Sequence, residues 1–185
     1  MAFIDGENLT IRAQNHPELK ALNLQTRPAF YLRDVLIWVP NESLEYVLKG
    51  GFPLGGGLIR AYYYTSVAGD DPKILAVRES IRELGFDPQV FKKDAAGSKS
   101  KGVDITLTKD MLTHAFFNHY DAAILVAGDR DYVPLVHEVK RLGKNVFVNF
   151  FGEEHGLAKE LRLVADKYAD LAGPLVSRWK MHAKT

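Results

Sequence analysis

Short apolar runs alternate along the chain with longer stretches of helical periodicity, and the apolar runs predict strands. Two of them, Ile124–Val126 and Val146–Val148, lack polar alternation, which is typical of strands buried on both faces. The predicted strands are Ala2–Ile4, Leu58–Tyr64, Gln89–Phe91, Ala122–Ala127 and Asn145–Phe150. Alternation of strands and helices predicts an α/β fold, a three-layer α-β-α sandwich around a mainly parallel central sheet.

The stretches between the strands carry apolar residues at the spacing of amphipathic helices. One of these helices has an aspartate cap and a proline at its start and Gly85 at its end. The predicted helices are Pro72–Leu84, Val103–His119, Tyr132–Leu142 and Leu157–Leu171. The last of them predicts a C-terminal helical extension, residues 156–185, packed on a domain formed by residues 1–155.

Composition narrows the classes of protein that fit. With 185 residues and 46% hydrophobic positions, the chain can bury the core of one domain. Because it has no cysteine, a disulfide scaffold, a cysteine zinc site and thiol catalysis are excluded. A net charge of +1 argues against a general basic coat for nucleic acid but permits a local basic patch.

The N-terminal sequence lacks the basic region and apolar stretch of a signal peptide. No apolar run approaches the roughly 20 residues of a membrane span. We therefore expect a soluble, cytoplasmic protein without a membrane partner.

Acidic residues follow two of the predicted strands. Asp5 comes directly after the first, Asp129 and Asp131 come just after the fourth, and Asp104 opens a helix. Because ligands of open α/β sheets bind at the carboxyl ends of the strands, we expect these carboxylates to meet there. Their repulsion would be relieved by a divalent cation, and Mg²⁺ or Mn²⁺ prefers oxygen ligands.

Helix capping is the competing interpretation of each acid taken alone. Asp104 and Asp131 stand where an N-cap is expected, and an acid there is favoured by the helix dipole. Asp5 differs, since a carboxylate directly after a buried strand needs a partner.

For other polar and aromatic residues we expect structural roles. We expect Gly55–Gly57 to form a turn, and Tyr62–Tyr64 to serve packing rather than base stacking. The six histidines show no metal-ligand spacing, and His114 and His119, five residues apart on one predicted helix, are expected to point apart.

Three blocks of this sequence resemble the NYN domain, and more narrowly the LabA-like (DUF88) branch of the PIN-like nuclease superfamily. They are Phe3-Ile4-Asp5-Gly6-Glu7-Asn8-Leu9, Lys101-Gly102-Val103-Asp104 and the block from Ile124 through Gly128-Asp129-Arg130-Asp131-Tyr132 to Leu135. The resemblance covers roughly residues 2–150. It implies a helix-sandwiched parallel sheet, an aspartate cluster that binds Mg²⁺ or Mn²⁺, and cleavage of RNA phosphodiesters.

Carried over position by position, the resemblance assigns the site to five residues: Asp5, Asn8, Asp104, Asp129 and Asp131. Ala127 stands where the family usually has serine, and Tyr132 where phenylalanine is usual, so the missing hydroxyl at Ala127 could weaken a contact to water or phosphate. We expect Asp5 and Asp129 to be direct metal ligands and Asp104 to bind the metal or its water. Asp131 would orient the attacking water or bind a second ion, and the neutral Asn8 would hydrogen-bond water or phosphate.

The predicted function is metal-dependent hydrolysis of RNA. Its phosphates would be held by a basic group: Lys92, Lys93, Lys99, Lys101 and Arg130. The main alternative is a non-catalytic RNA- or protein-binding regulatory module on the same fold. A phosphatase with an Asp-x-Asp nucleophile fits less well, because the first strand is followed by Asp5-Gly6-Glu7. A homodimer formed through the C-terminal segment is a further alternative.

Overall fold

A run of three tyrosines shows how the chain builds its layers. Successive side chains of a strand point to opposite faces of the sheet. Tyr62 and Tyr64 hydrogen-bond to His114 and Asp110, whereas the ring of Tyr63 lies against Gly6 on the other face. All three tyrosines are buried, which agrees with a packing role. The sheet is therefore covered on both sides.

The computed structural model describes residues 1–21, 30–32, 35–37, 60–93 and 101–182. For residues 30–32, 36, 37, 101 and 178–182 only the backbone is considered. In these ranges the strands are β1 Ala2–Asp5, β2 Phe30–Leu32, β3 Val35–Ile37, β4 Ala61–Ala68, β5 Asp87–Lys93, β6 Ala122–Val126, β7 Asn145–Phe150 and β8 Lys167–Asp170. The helices are α1 Gly6–Asn15, α2 Pro17–Lys20, α3 Asp71–Glu83, α4 Lys101–Phe116, α5 Val133–Arg141, α6 Lys159–Val164 and α7 Ala172–His182.

Six of these strands form one parallel sheet in the order β5-β4-β1-β6-β7-β8, while β2 and β3 pair separately as an antiparallel hairpin. The core lies on both faces of the central strands, where Phe3, Leu125 and Val148 are fully buried. Helices flank the sheet, so the predicted α/β sandwich is confirmed. This architecture also explains why Ile124–Val126 and Val146–Val148 lack polar alternation, since a central parallel strand has no face exposed to solvent.

The C-terminal segment differs from its prediction. The apolar stripe over Leu157–Leu171 predicts one helix, but α6 ends at Val164 and β8 follows, pairing with β7 from Phe147↔Lys167 to Phe150↔Asp170. The Asp166 carboxylate accepts the Val146 N–H at 2.7 Å, which attaches the start of the new strand to the sheet. Tertiary pairing thus overrides the local helical pattern, and the extension supplies a sixth strand before its final helix.

Smaller differences concern strand bounds and membrane character. β4 begins at Ala61 and continues to Ala68, four residues beyond the predicted end at Tyr64. Gly55–Gly57 lies outside the described residues. Of the helices in the described ranges, none combines the length and the apolar character needed to cross a membrane.

Candidate active site

Asp5 is the last residue of β1 and the N-cap of α1. Its Oδ1 accepts the Asn8 backbone N–H at 2.9 Å, which satisfies a helix donor that would otherwise lack a partner. The residue is 4% exposed. Capping and burial therefore aim the carboxylate at the edge of the sheet where the strands end.

The second oxygen of Asp5 meets a tyrosine. The Tyr132 hydroxyl lies 2.8 Å from Asp5 Oδ2 and 3.1 Å from Asp104 Oδ1. Tyr132 belongs to a short 3₁₀ turn after β6, and Asp104 lies in the first turn of α4. Three separate parts of the chain thus place two carboxylates around one hydroxyl.

Burial makes the Asp5 carboxylate electrostatically unusual. The pKa of Asp5 is raised from its ordinary 3.8 to about 6, chiefly because burial removes water from the charged form. Hydrogen bonds from Asn8 and Tyr132 lower this pKa, and the charges of Asp104 and Glu7 raise it. Burial, followed by the charges of Asp5 and Asp104, holds the pKa of Tyr132 far above 10, so its hydroxyl remains a donor.

Glycines next to the acids let the elements approach closely. A Cβ on Gly6 would lie 2.2 Å from the Tyr63 ring, and a Cβ on Gly128 would lie 2.3 Å from the Phe150 ring and 2.5 Å from the Gly156 carbonyl oxygen. The Gly128 N–H also donates to Asn8 Oδ1 at 3.0 Å. Asn8, in the first turn of α1, therefore joins the start of that helix to the loop that carries Asp129.

Asp129 and Asp131 follow β6, the strand next to β1, and lie at the same edge of the sheet as Asp5. Asp129 is half-buried and caps the 3₁₀ turn by accepting the Asp131 N–H at 3.3 Å, while Asp131 is exposed. The cap is thus Asp129 rather than Asp131. Among the residues that the structure describes, neither of these side chains hydrogen-bonds to Asp5, Tyr132 or Asp104.

The predicted basic group is only partly described. Arg130 is exposed beside Asp129, and the exposed Lys92 pairs with Asp71 at 3.1 Å. Lys93 is buried at the end of β5, with its ammonium 3.6 Å from Glu7. Lys99 and the side chain of Lys101 lie outside the described residues.

Comparison with known proteins identifies the family. The profile of the NYN domain matches residues 1–172. This chain belongs to the NYN domain family. It is therefore placed in the PIN-like nuclease superfamily, while the narrower LabA-like branch stays a prediction.

A solved structure has the same fold as this NYN domain. The crystal structure of a protein of unknown function from Vibrio parahaemolyticus RIMD 2210633 aligns with a TM-score of 0.50 and 22% sequence identity. The alignment covers 69% of this chain and 86% of the other. No curated protein sequence matches the NYN chain.

The donor set of this NYN domain fits a hard divalent cation. Asp5 and Asp104 offer carboxylate oxygens, and Mg²⁺ is commonly held by one or two carboxylates with water and substrate phosphate completing the shell. Across the described part of the chain, no three histidine, aspartate or glutamate side chains are grouped closely enough to hold a metal by themselves. A cation here would therefore depend on water or phosphate as well as protein.

Sequence reasoning missed three features of this NYN domain. Tyr132 bridges two acids, a role that depends on contacts with residues far from it in the sequence. Glu7 is half-buried beside Lys93 and adds to the charge around Asp5. A buried lysine at the carboxyl end of β5, beside Glu7, was not signalled by the polar pattern of that strand.

The predicted separation of His114 and His119 is wrong. Their Nδ1 atoms lie 2.9 Å apart. The reason is that α4 ends at Phe116 and Asn118 has a φ of +59°, which turns the chain back before His119. The His114 ring contacts Tyr62 near the start of β4, whereas Asp5 lies at the carboxyl end of β1.

Proposed function

We propose that this NYN domain is a Mg²⁺- or Mn²⁺-dependent ribonuclease. The observation that carries the proposal is the convergence of the Asp5 and Asp104 carboxylates on one hydroxyl at the carboxyl edge of the parallel sheet. Two like charges so close together, one of them buried, are stabilised by a cation. Membership of a PIN-like nuclease superfamily supports phosphodiester hydrolysis as the reaction.

The cation would be held by Asp5 and Asp104, with Asp129 as the proposed third ligand from the neighbouring strand. When bound, it supplies Lewis acidity that polarises the scissile phosphate and makes a water molecule a better nucleophile. Asp131, exposed two residues after Asp129, is proposed to orient that water for attack on phosphorus. Asn8 keeps the start of α1 close to the loop after β6 through its contact with the Gly128 N–H.

RNA would be bound through its phosphates. Arg130 and Lys92 offer charged groups near the acidic edge, with Lys99 and Lys101 proposed to add to them. Lys93 pairs with Glu7 in the structure. Its proposed role is to reduce the repulsion between the acidic side chains and the phosphates of RNA. Contacts of this kind are blind to sequence and weaken as salt rises.

The test is cleavage of labelled single-stranded and structured RNA with Mn²⁺ or EDTA. Asp5→Asn and Asp129→Asn should abolish Mn²⁺-dependent cleavage, because an amide is a poorer metal ligand than a carboxylate. Asp70→Asn is the matched control, since Asp70 is also an N-cap, accepts the Lys73 N–H at 3.1 Å and is exposed. Purifying all variants identically controls for a contaminating nuclease. Cleavage that survives EDTA, or both substitutions at Asp5 and Asp129, refutes the proposal.

The alternative, a regulatory module that binds RNA or protein without cutting, gives a different result in the same assay. Such a module retards labelled RNA on a gel, or binds a protein, and leaves the RNA intact with Mn²⁺ present. If it uses no cation, its melting temperature does not rise with Mn²⁺.

A further inference from the structure

Tyr132 is almost wholly buried, yet its hydroxyl contacts two carboxylates. It is 3% exposed, and its ring belongs to the apolar core. A phenylalanine ring would fill the same space, so packing alone does not account for the hydroxyl. That hydroxyl lies between the two carboxylates of the proposed site.

The two acids depend on this hydroxyl to different degrees. Asp5 is already held by its position at the end of β1 and by the Asn8 N–H. Asp104 is exposed on the first turn of α4, and Tyr132 is its hydrogen-bond partner within the described ranges. An exposed carboxylate without that bond would turn into solvent, away from the negative charge of Asp5.

The hydroxyl does not block the oxygens that it contacts. Each carboxylate oxygen has two lone pairs, and a hydrogen bond occupies one of them. A tyrosine hydroxyl also has one hydrogen, which it donates to one acid at a time. Both carboxylates therefore keep lone pairs for a cation, and whichever of them accepts the hydrogen is held beside the other.

We propose that Tyr132 is a positioning residue that holds the Asp104 carboxylate beside Asp5, so that both acids bind one divalent cation. This inference rests on the proposed function for the identity of the cation site. The hydroxyl offsets part of the repulsion between the two carboxylates before a cation binds. Cation binding then costs less free energy, because the carboxylates are already ordered. Outer contacts that orient metal ligands typically change metal affinity about 10–100-fold.

The test compares Mn²⁺ affinity of the full chain with that of Tyr132→Phe by isothermal titration calorimetry. We expect Tyr132→Phe to weaken Mn²⁺ binding about 10-fold or more. Tyr120→Phe is the matched control, because it also removes a buried tyrosine hydroxyl, one that donates to the Met111 carbonyl at 2.9 Å away from the acids. It should leave Mn²⁺ affinity unchanged, and circular dichroism verifies that both variants fold.

A double-mutant cycle separates positioning from a general structural effect. If Tyr132 acts through Asp104, adding Tyr132→Phe to Asp104→Asn causes much less further loss of Mn²⁺ affinity than Tyr132→Phe causes alone. Full additivity, or unchanged or tighter Mn²⁺ binding by Tyr132→Phe, overturns the inference. Wild-type chain that binds no Mn²⁺ overturns both proposals. Binding without RNA cleavage overturns the nuclease proposal alone, and cleavage with an unaffected Tyr132→Phe overturns the positioning role alone.

Discussion

Replacing Asp5 by asparagine should stabilise the metal-free chain at neutral pH and leave its stability nearly unchanged in acid. The substitution removes the charge but keeps the cap, because asparagine is as good an N-cap as aspartate. The new amide can also donate to the Tyr132 oxygen, which lies 2.8 Å from Asp5 Oδ2. The change therefore isolates the free energy of burying a carboxylate.

The magnitude follows from the pKa of Asp5, which is raised from 3.8 to about 6 by burial. A difference of about two units corresponds to about 3 kcal/mol at 1.36 kcal/mol per unit. Below pH 3.8 both folded and unfolded chains carry a protonated Asp5, and the difference vanishes. Between pH 4 and 6 the folded state binds more protons, so wild-type stability falls as pH rises. Above pH 6 the full penalty is present, and Asp5→Asn escapes it.

Urea unfolding in metal-free buffer at pH 4.0 and pH 7.5 measures this directly. We expect Asp5→Asn to raise the free energy of unfolding by up to about 3 kcal/mol at pH 7.5. In a chain of this length that gain raises Tm by about 6–12 °C. The exposed cap variant Asp70→Asn should change stability by less than about 0.5 kcal/mol at either pH. An Asp5→Asn effect of equal size at both pH values, or destabilisation at pH 7.5, refutes the reasoning.

The remaining predictions concern cation binding and the loop that carries Asp129. Because Asp5 must lose its proton to bind a cation, Mn²⁺ affinity should fall about 10-fold per pH unit below pH 6, measured by calorimetry at pH 5.0 and 7.0; a flat profile contradicts a ligand role for Asp5. Gly128→Ala should destabilise the chain by about 1–3 kcal/mol, since its Cβ would lie 2.3 Å from the Phe150 ring. Gly152→Ala, whose Cβ meets nothing within 4 Å, is the control in the same urea titration.

Much of the central sheet is predictable because its signals are local. An apolar run followed at once by an acid, as in Phe3-Ile4-Asp5, indicates both a buried strand and the edge where it ends. The position of Asp5 follows from such a signal, that of Asp104 from its place at the start of a predicted helix, and the structure places the two acids around one hydroxyl. A strand that is buried on both faces can be predicted from the sequence because it requires a continuous apolar run.

The remaining features depend on contacts between distant segments. β8 has one strand neighbour and half-exposed side chains, so its four residues carry little pattern of their own. The link from Tyr132 to Asp5 joins residues 127 positions apart, and the His114–His119 contact requires the left-handed backbone of Asn118. Neither relation is encoded by spacing along a helix or strand.

The strand order also determines where this molecule can receive a ligand. From β1 the sheet extends through β4 and β5 on one side, and the chain then returns to build β6, β7 and β8 on the other. β1 and β6 are therefore the two strands at a topological switch point, where the connections leave in opposite directions, and ligands of open α/β sheets bind at such points. Asp5 ends one of these strands, and Gly128 and Asp129 follow the other. The switch point between β1 and β6 is thus set by the order of the strands and not by the side chains that surround it.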